Sequence, residues 1–260
     1  LTYGVFSLFH ILAPLPAVLA RPVVDAFRYY FPFPRRRRIR SLLLEANETY
    51  KRLPARRRFA FENHVIRFVD GFEFVPREPL KEINLEMQVI LGGQAARMML
   101  FLPEQCFEYY HTIIIYPTKY LSTYTNRYHN GEVNPGSRLM VFAWDAVLTG
   151  LKLDDDGLNL LLHEYAHALW LENRLMSGQY ELFDDEAMEH YVAVAEAELE
   201  HMRSNGQHFL RRYAANSHEE FFAVAVESFF ERSEFFREHL PRLYDALRAI
   251  FRQDPFTLRR

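Results

Sequence analysis

Residues 154–170 read Asp-Asp-Asp-Gly-Leu-Asn-Leu-Leu-Leu-His-Glu-Tyr-Ala-His-Ala-Leu-Trp, an acidic opening followed by a Leu-rich run. Acidic residues favour the positive end of a helix dipole, so Asp154–Asp156 predict a helix start, with one of them as N-cap, and a helix over 156–172. On that helix His163 and His167 are four residues apart. The spacing puts both imidazoles on one face, where both can reach one tetrahedral metal ion. Glu164 projects beside them, placed to take a proton from a water acidified by the metal and to pass it to a departing amine. This is the HExxH pattern of metallopeptidases.

A catalytic zinc needs a third protein ligand and an open fourth position, and the carboxylate version draws a Glu from a second, downstream helix. Residues 216–227, Asn-Ser-His-Glu-Glu-Phe-Phe-Ala-Val-Ala-Val-Glu, offer one. The segment is apolar apart from its start and its acids, so a carboxylate on it faces inward. Glu220 precedes the small Ala223 by three positions, a spacing that lets two helices approach closely. Glu220 is therefore the expected third ligand, with Glu219, Glu227 and His218 as competitors. Glu227 reads better as a partner lying behind the ligands or as a salt bridge at the core edge. The one cysteine, Cys106, is far from these residues in sequence, which argues against a closed thiolate site.

Working outward, the period of the apolar residues predicts helices over 37–52, 55–69 and 80–100, then over 184–204, 217–230 and 241–252. Short strands are expected over 71–75, 112–116 and 139–144, with a Tyr-, Asn-, Gly- and Pro-rich connection at 124–137. The order gives an α+β domain, a small sheet followed by a helical lobe carrying HExxH. The 139–144 run is the expected edge strand along which an extended peptide would lie.

Composition supports a large core: 49% hydrophobic and 15% aromatic residues allow burial without disulfides. A net charge of -3 gives no reason to expect nucleic-acid binding. A lone Cys106 fits a reducing compartment and reads as a packing residue. Residues 1–20 carry no Lys, Arg, Asp or Glu, and Arg21, Arg28, Arg35–Arg38 and Arg40 follow. The segment 1–34 thus reads as a hydrophobic membrane anchor ahead of a peptidase domain over 35–260. Contact with the bilayer would run through residues 1–40 and hold the domain at the cytoplasmic face. Without that anchor the domain would be cytoplasmic.

Three segments together resemble the Mlc titration factor A family of zinc peptidases. They are Gly-Leu-Asn-Leu-Leu-Leu-His163-Glu164-Tyr-Ala-His167, Tyr213-Ala-Ala, and Glu-Glu220-Phe-Phe-Ala-Val-Ala-Val-Glu-Ser-Phe-Phe. The likeness runs from about Phe27 through the Ile-Ile-Ile-Tyr-Pro strand to Phe251-Arg-Gln-Asp-Pro255. It implies a zincin-like metallopeptidase domain with Zn2+ on His163, His167 and Glu220, Glu164 as base, and Tyr213 assisting by a hydrogen bond to the developing oxyanion. It also implies aminopeptidase activity on a peptide or protein substrate. The chain departs from the pattern at Trp170, where an aspartate can stand, and in its apolar amino end. The alternative function is a regulatory binding module, with a transcription regulator or membrane partner and secondary peptidase activity; a retained Glu164 speaks for the enzyme.

Overall fold

The computed structural model describes residues 33–103, 106–152, 156–176, 178–205 and 208–258. Helices α1 (Pro34–Ala46), α2 (Glu48–Arg52) and α3 (Ala55–Gly71) open it. The single helix expected over 37–52 is broken at Asn47, whose side chain leaves the helix to cap α2 by accepting from Tyr50 N–H at 2.8 Å. Glu62 on α3 is fully buried and accepts from Arg36 at 3.0 Å, Arg40 at 2.8 Å and the Tyr50 hydroxyl at 2.7 Å. Arg35 pairs with Asp70 at 2.6 Å. Arg36 and Arg40 of the arginine run expected to face a membrane are therefore held by the fold, because a buried carboxylate needs charged partners. Among the described residues no helix is long and apolar enough to cross a membrane. Apart from Phe33 and Pro34, the apolar segment 1–34 lies outside the described residues.

Strand β1 (Glu73–Pro76), helix α4 (Leu85–Met99) and strand β2 (Thr112–Tyr116) follow. A two-stranded ribbon of β3 (Tyr120–Leu121) and β4 (Tyr128–His129) precedes β5 (Gly131–Asn134) and β6 (Leu139–Ala143). The main sheet has the order β1-β2-β6-β5, with β1, β2 and β6 parallel and β5 antiparallel to β6. This corrects the expected edge strand. The run at 139–144 is an interior strand, with Met140 through Ala143 all buried; its unbroken apolar sequence is the mark of a strand covered on both faces. The edge on that side is β5, inside the connection read as turn-rich. Trp144 leaves the sheet and opens the short helix α5 (Trp144–Gly150).

The rest is helical: α6 (Leu160–Leu175), α7 (Asp185–Asn205), a 3-10 turn (Arg212–Asn216), α8 (His218–Glu231), α9 (Ser233–His239), α10 (Pro241–Phe251) and α11 (Pro255–Leu258). The whole is α+β, as expected. The main core joins the sheet to α4, α6, α7, α8 and α10, with Phe251 in ring contact with both Phe222 and Phe229. A smaller core lies among α1, α2, α3 and the outer face of α4.

Candidate metal centre

Helix α6 begins later than expected. Asn159, not one of the aspartates, is its N-cap, accepting from Leu162 N–H at 3.1 Å. Asp156 is instead used in a turn onto Leu158 N–H, and Asp154 and Asp155 lie outside the described residues. Leu161, Leu162, Tyr165, Ala166, Ala168 and Leu169 fill the core face of α6. The remaining face, with Leu160, His163, Glu164, His167 and Leu171, lines a cavity of about 880 Å3. The 3.6-residue period makes this division. Three hydrogen bonds fix the rotation of the helix: the Tyr165 hydroxyl donates to Leu91 C=O at 3.1 Å, and Glu172 accepts from the N–H groups of Phe107 at 2.8 Å and Tyr109 at 3.1 Å.

Helix α8 packs along α6, with Ala223 fully buried. Ser217 caps it by accepting from Glu220 N–H at 3.1 Å. The sequence Ser217-x-x-Glu220 matches a capping box, but here the glutamate does not turn back to the cap residue. Its carboxylate reaches across to the histidines. Oε2 of Glu220 lies 3.3 Å from Nε2 of His163 and 3.5 Å from Nε2 of His167, and the two imidazole nitrogens are 3.1 Å apart.

These three ligand atoms converge, each within 4.8 Å of the others. Oε2 of Glu220 is within ion-pair distance of both rings, yet it is buried and makes no hydrogen bond. A buried carboxylate oxygen left so is costly unless a cation sits on it. The donor set, two imidazole nitrogens and one carboxylate oxygen, fits a divalent metal with a position left open. Burial would raise the Glu220 carboxyl pKa, but its contacts with His163 and His167 hold it well below the usual carboxylate range. Burial pulls the His163 pKa down, and Glu220 and Glu227 outweigh it, raising it to about 10. Glu164 is buried beside them, which raises its carboxyl above the usual range while the two imidazoles oppose the shift.

Of the competing ligands, Glu219 turns to Arg174 at 3.6 Å and His218 is not in the cluster. Glu227 lies behind the ligands, 2.5 Å from Nδ1 of His163, and also takes the Arg211 guanidinium and Asn159 N–H. The Asn159 amide donates on to Glu231 at 2.8 Å. Tyr213, on the 3-10 turn, donates its hydroxyl to Oε1 of Glu220 at 2.9 Å. Burial first, and Glu220 second, raise the phenol pKa to about 12. Trp170 takes no part and packs on Phe222 and Tyr191.

Sequence reasoning missed Arg211, Asn159 and Gly131. A Cβ on Gly131 would lie 2.5 Å from Oε1 of Glu164, so only glycine lets β5 pass so close to that carboxylate. Neither Arg211 nor Gly131 carries a spacing signal; Asn159 could have been weighed as a cap, since Asn caps as well as Asp.

A model of the glucose-regulated metallo-peptidase M90 family matches residues 31–252. The chain belongs to that family. Proteins named Mlc titration factor A from Yersinia pestis and Yersinia pseudotuberculosis are 28% identical over 71% of this chain and 73% of their own length. An uncharacterized protein of Synechocystis sp. is 23% identical over 79% of the chain and 80% of its own. As a member of the M90 family the chain is metallopeptidase-like, and His163, His167 and Glu220 are residues that can hold the metal ion the family description implies.

Proposed function

We propose that the protein is a zinc-dependent peptidase of the zincin type, with His163, His167 and Glu220 as ligands and Glu164 as general base. The observation that carries this reading is the buried, unbonded Oε2 of Glu220 aimed at both imidazoles of HExxH. Zinc in this position supplies Lewis acidity, which acidifies a water and polarises a peptide carbonyl. Glu164 takes the proton of the attacking water and hands it to the leaving amine; a carboxyl pKa raised by burial suits a group that must both accept and give. Tyr213 remains protonated at neutral pH and donates its hydrogen bond to the developing oxyanion. The free edge of β5, which passes Glu164 at Gly131, aligns an extended peptide by strand addition. Aminopeptidase specificity follows from the family resemblance alone.

In this reading residues 35–260 are the peptidase unit and residues 1–34 a membrane-contacting segment at the cytoplasmic face. A chain shortened to begin at Phe33 keeps the arginine partners of Glu62 and would lose vesicle binding while keeping turnover.

The deciding experiment is metal analysis of purified protein together with cleavage of a mixed peptide library, with and without chelator. Glu164→Gln is expected to keep near-stoichiometric zinc while turnover falls by about 10²-fold or more. Unchanged turnover would remove Glu164 from the mechanism. The name of the Yersinia relatives supports a second reading, a regulatory protein partner; a partner whose binding survives Glu164→Gln would favour it.

A further inference from the structure

A second cavity, of about 580 Å3, shares Arg211 and Leu158 with the first. Arg203, Arg211, Arg212 and Arg232 all line it. Its lining carboxylate, Asp156, already accepts from Leu158 N–H at 2.9 Å. Among the described residues Arg203, Arg212 and Arg232 have no carboxylate partner. Arg232 is held by stacking, 4.6 Å over the Phe209 ring. Gly157 has φ +72°, and a Cβ there would lie 3.1 Å from Cδ of Arg232, so the turn leaves this arginine its place. Arg211 binds Glu227 by one terminal nitrogen, while its Nε is buried without a partner. Four arginines line one cavity and three of them have no carboxylate partner among the described residues, an excess of positive charge that favours an anion there.

The neighbouring cluster of Glu198, His201 and His208 is no rival cation site. Leu210 N–H donates to Nδ1 of His208 at 3.1 Å, so the ring proton sits on Nε2 and points to Oε2 of Glu198 at 3.1 Å. That leaves no His208 lone pair for a metal, and the arginines nearby oppose one.

We propose that this cavity is a subsite for a carboxylate of the peptide substrate, a proposal that rests on the peptidase reading. Guanidinium forks match carboxylates bidentately, and Arg211 lines both this cavity and the one that holds His163, His167 and Glu220. A residue adjoining the scissile bond is thus offered a cationic pocket.

The test compares paired peptides carrying Glu or Gln at each position in turn, each as free acid and as C-terminal amide, with the zinc-loaded full chain. We expect kcat/KM to be at least about tenfold higher for the acidic member at one position. A preference that follows Glu assigns a side-chain carboxylate; one lost in the amide assigns the chain terminus. In Arg203→Gln/Arg232→Gln the ratio should collapse towards one, whereas a merely structural defect lowers both rates and keeps the ratio. Arg203→Gln alone, at an exposed residue, should shift it part-way. Absence of an acid preference, or a preference untouched by the double variant, overturns the proposal. Should no peptide be cleaved, the peptidase reading falls by itself. Inorganic phosphate titrated into the wild-type and double-variant proteins then judges the cavity: tighter binding to the wild type supports it as an anion site, and equal affinity overturns it.

Discussion

Nδ1 of His163 lies 2.5 Å from Oε1 of Glu227, and that same oxygen accepts from Arg211. The carboxylate orients the imidazole so that Nε2 faces His167 and Glu220, and it makes the ring a stronger ligand. Its other oxygen holds Asn159 N–H, at the residue that caps the HExxH helix. One glutamate thus joins the two helices that carry His163, His167 and Glu220.

Glu227→Gln should therefore weaken zinc binding by roughly 10–100-fold. Glu220→Ala, which removes a ligand, should weaken it further. Competition with a chromogenic chelator ranks the two, and the reverse order would exchange their roles.

Gly131→Ala puts a methyl group onto the Glu164 carboxylate, 2.5 Å from its Oε1. The side chain must shift, and a base misplaced by about an ångström costs on the order of 10²-fold in rate. Zinc content should be unchanged, because no ligand is touched. Kinetics and metal analysis on the same preparation check this, and full activity would show that β5 can retreat.

Tyr213→Phe removes the hydroxyl that now donates to Glu220. Turnover is expected to drop by about 10²-fold, the scale for one oxyanion donor, with KM little altered. A fall confined to zinc affinity would instead make Tyr213 a clamp on the Glu220 ligand.

Cys106 is mostly buried, and its thiol donates to Pro103 C=O at 3.1 Å. Burial, aided by Glu172 and Glu108, raises its pKa far above that of a free thiol. The folded protein should resist alkylation at pH 8–9, where the group stays protonated, and should react once denatured, when ionisation returns to about pH 8.5. Iodoacetamide labelling followed by mass spectrometry reads this directly. With a folded pKa above the unfolded one, the stability that the protonated thiol contributes is full below about pH 8.5 and is lost progressively as pH rises from there through the folded pKa.

Much of this was legible in the sequence because it rests on local periodicity. Four-residue spacing of His163 and His167 fixes their common face, and an apolar helix with a few acids shows which carboxylates must face inward. The strand at 112–116 and the helix starting at Pro241 were found where expected, since Pro and β-branched runs act locally. Tertiary structure alone decided the rest. Whether a strand lies at an edge depends on which neighbours pair with it, so β5 could displace 139–144 as the edge without any change in composition. The sequence already preferred Glu220 to Glu219 and Glu227, but the docking of α8 on α6 decides that its carboxylate is the one within reach of both imidazoles, while Glu219 turns to Arg174 and Glu227 to the far side of His163. The approach of Gly131 to Glu164 and the gathering of Arg203 and Arg232 around Arg211 and Arg212 likewise join residues whose proximity no sequence spacing encodes. They are products of packing between elements, where long-range contacts rather than helix or strand period set the geometry.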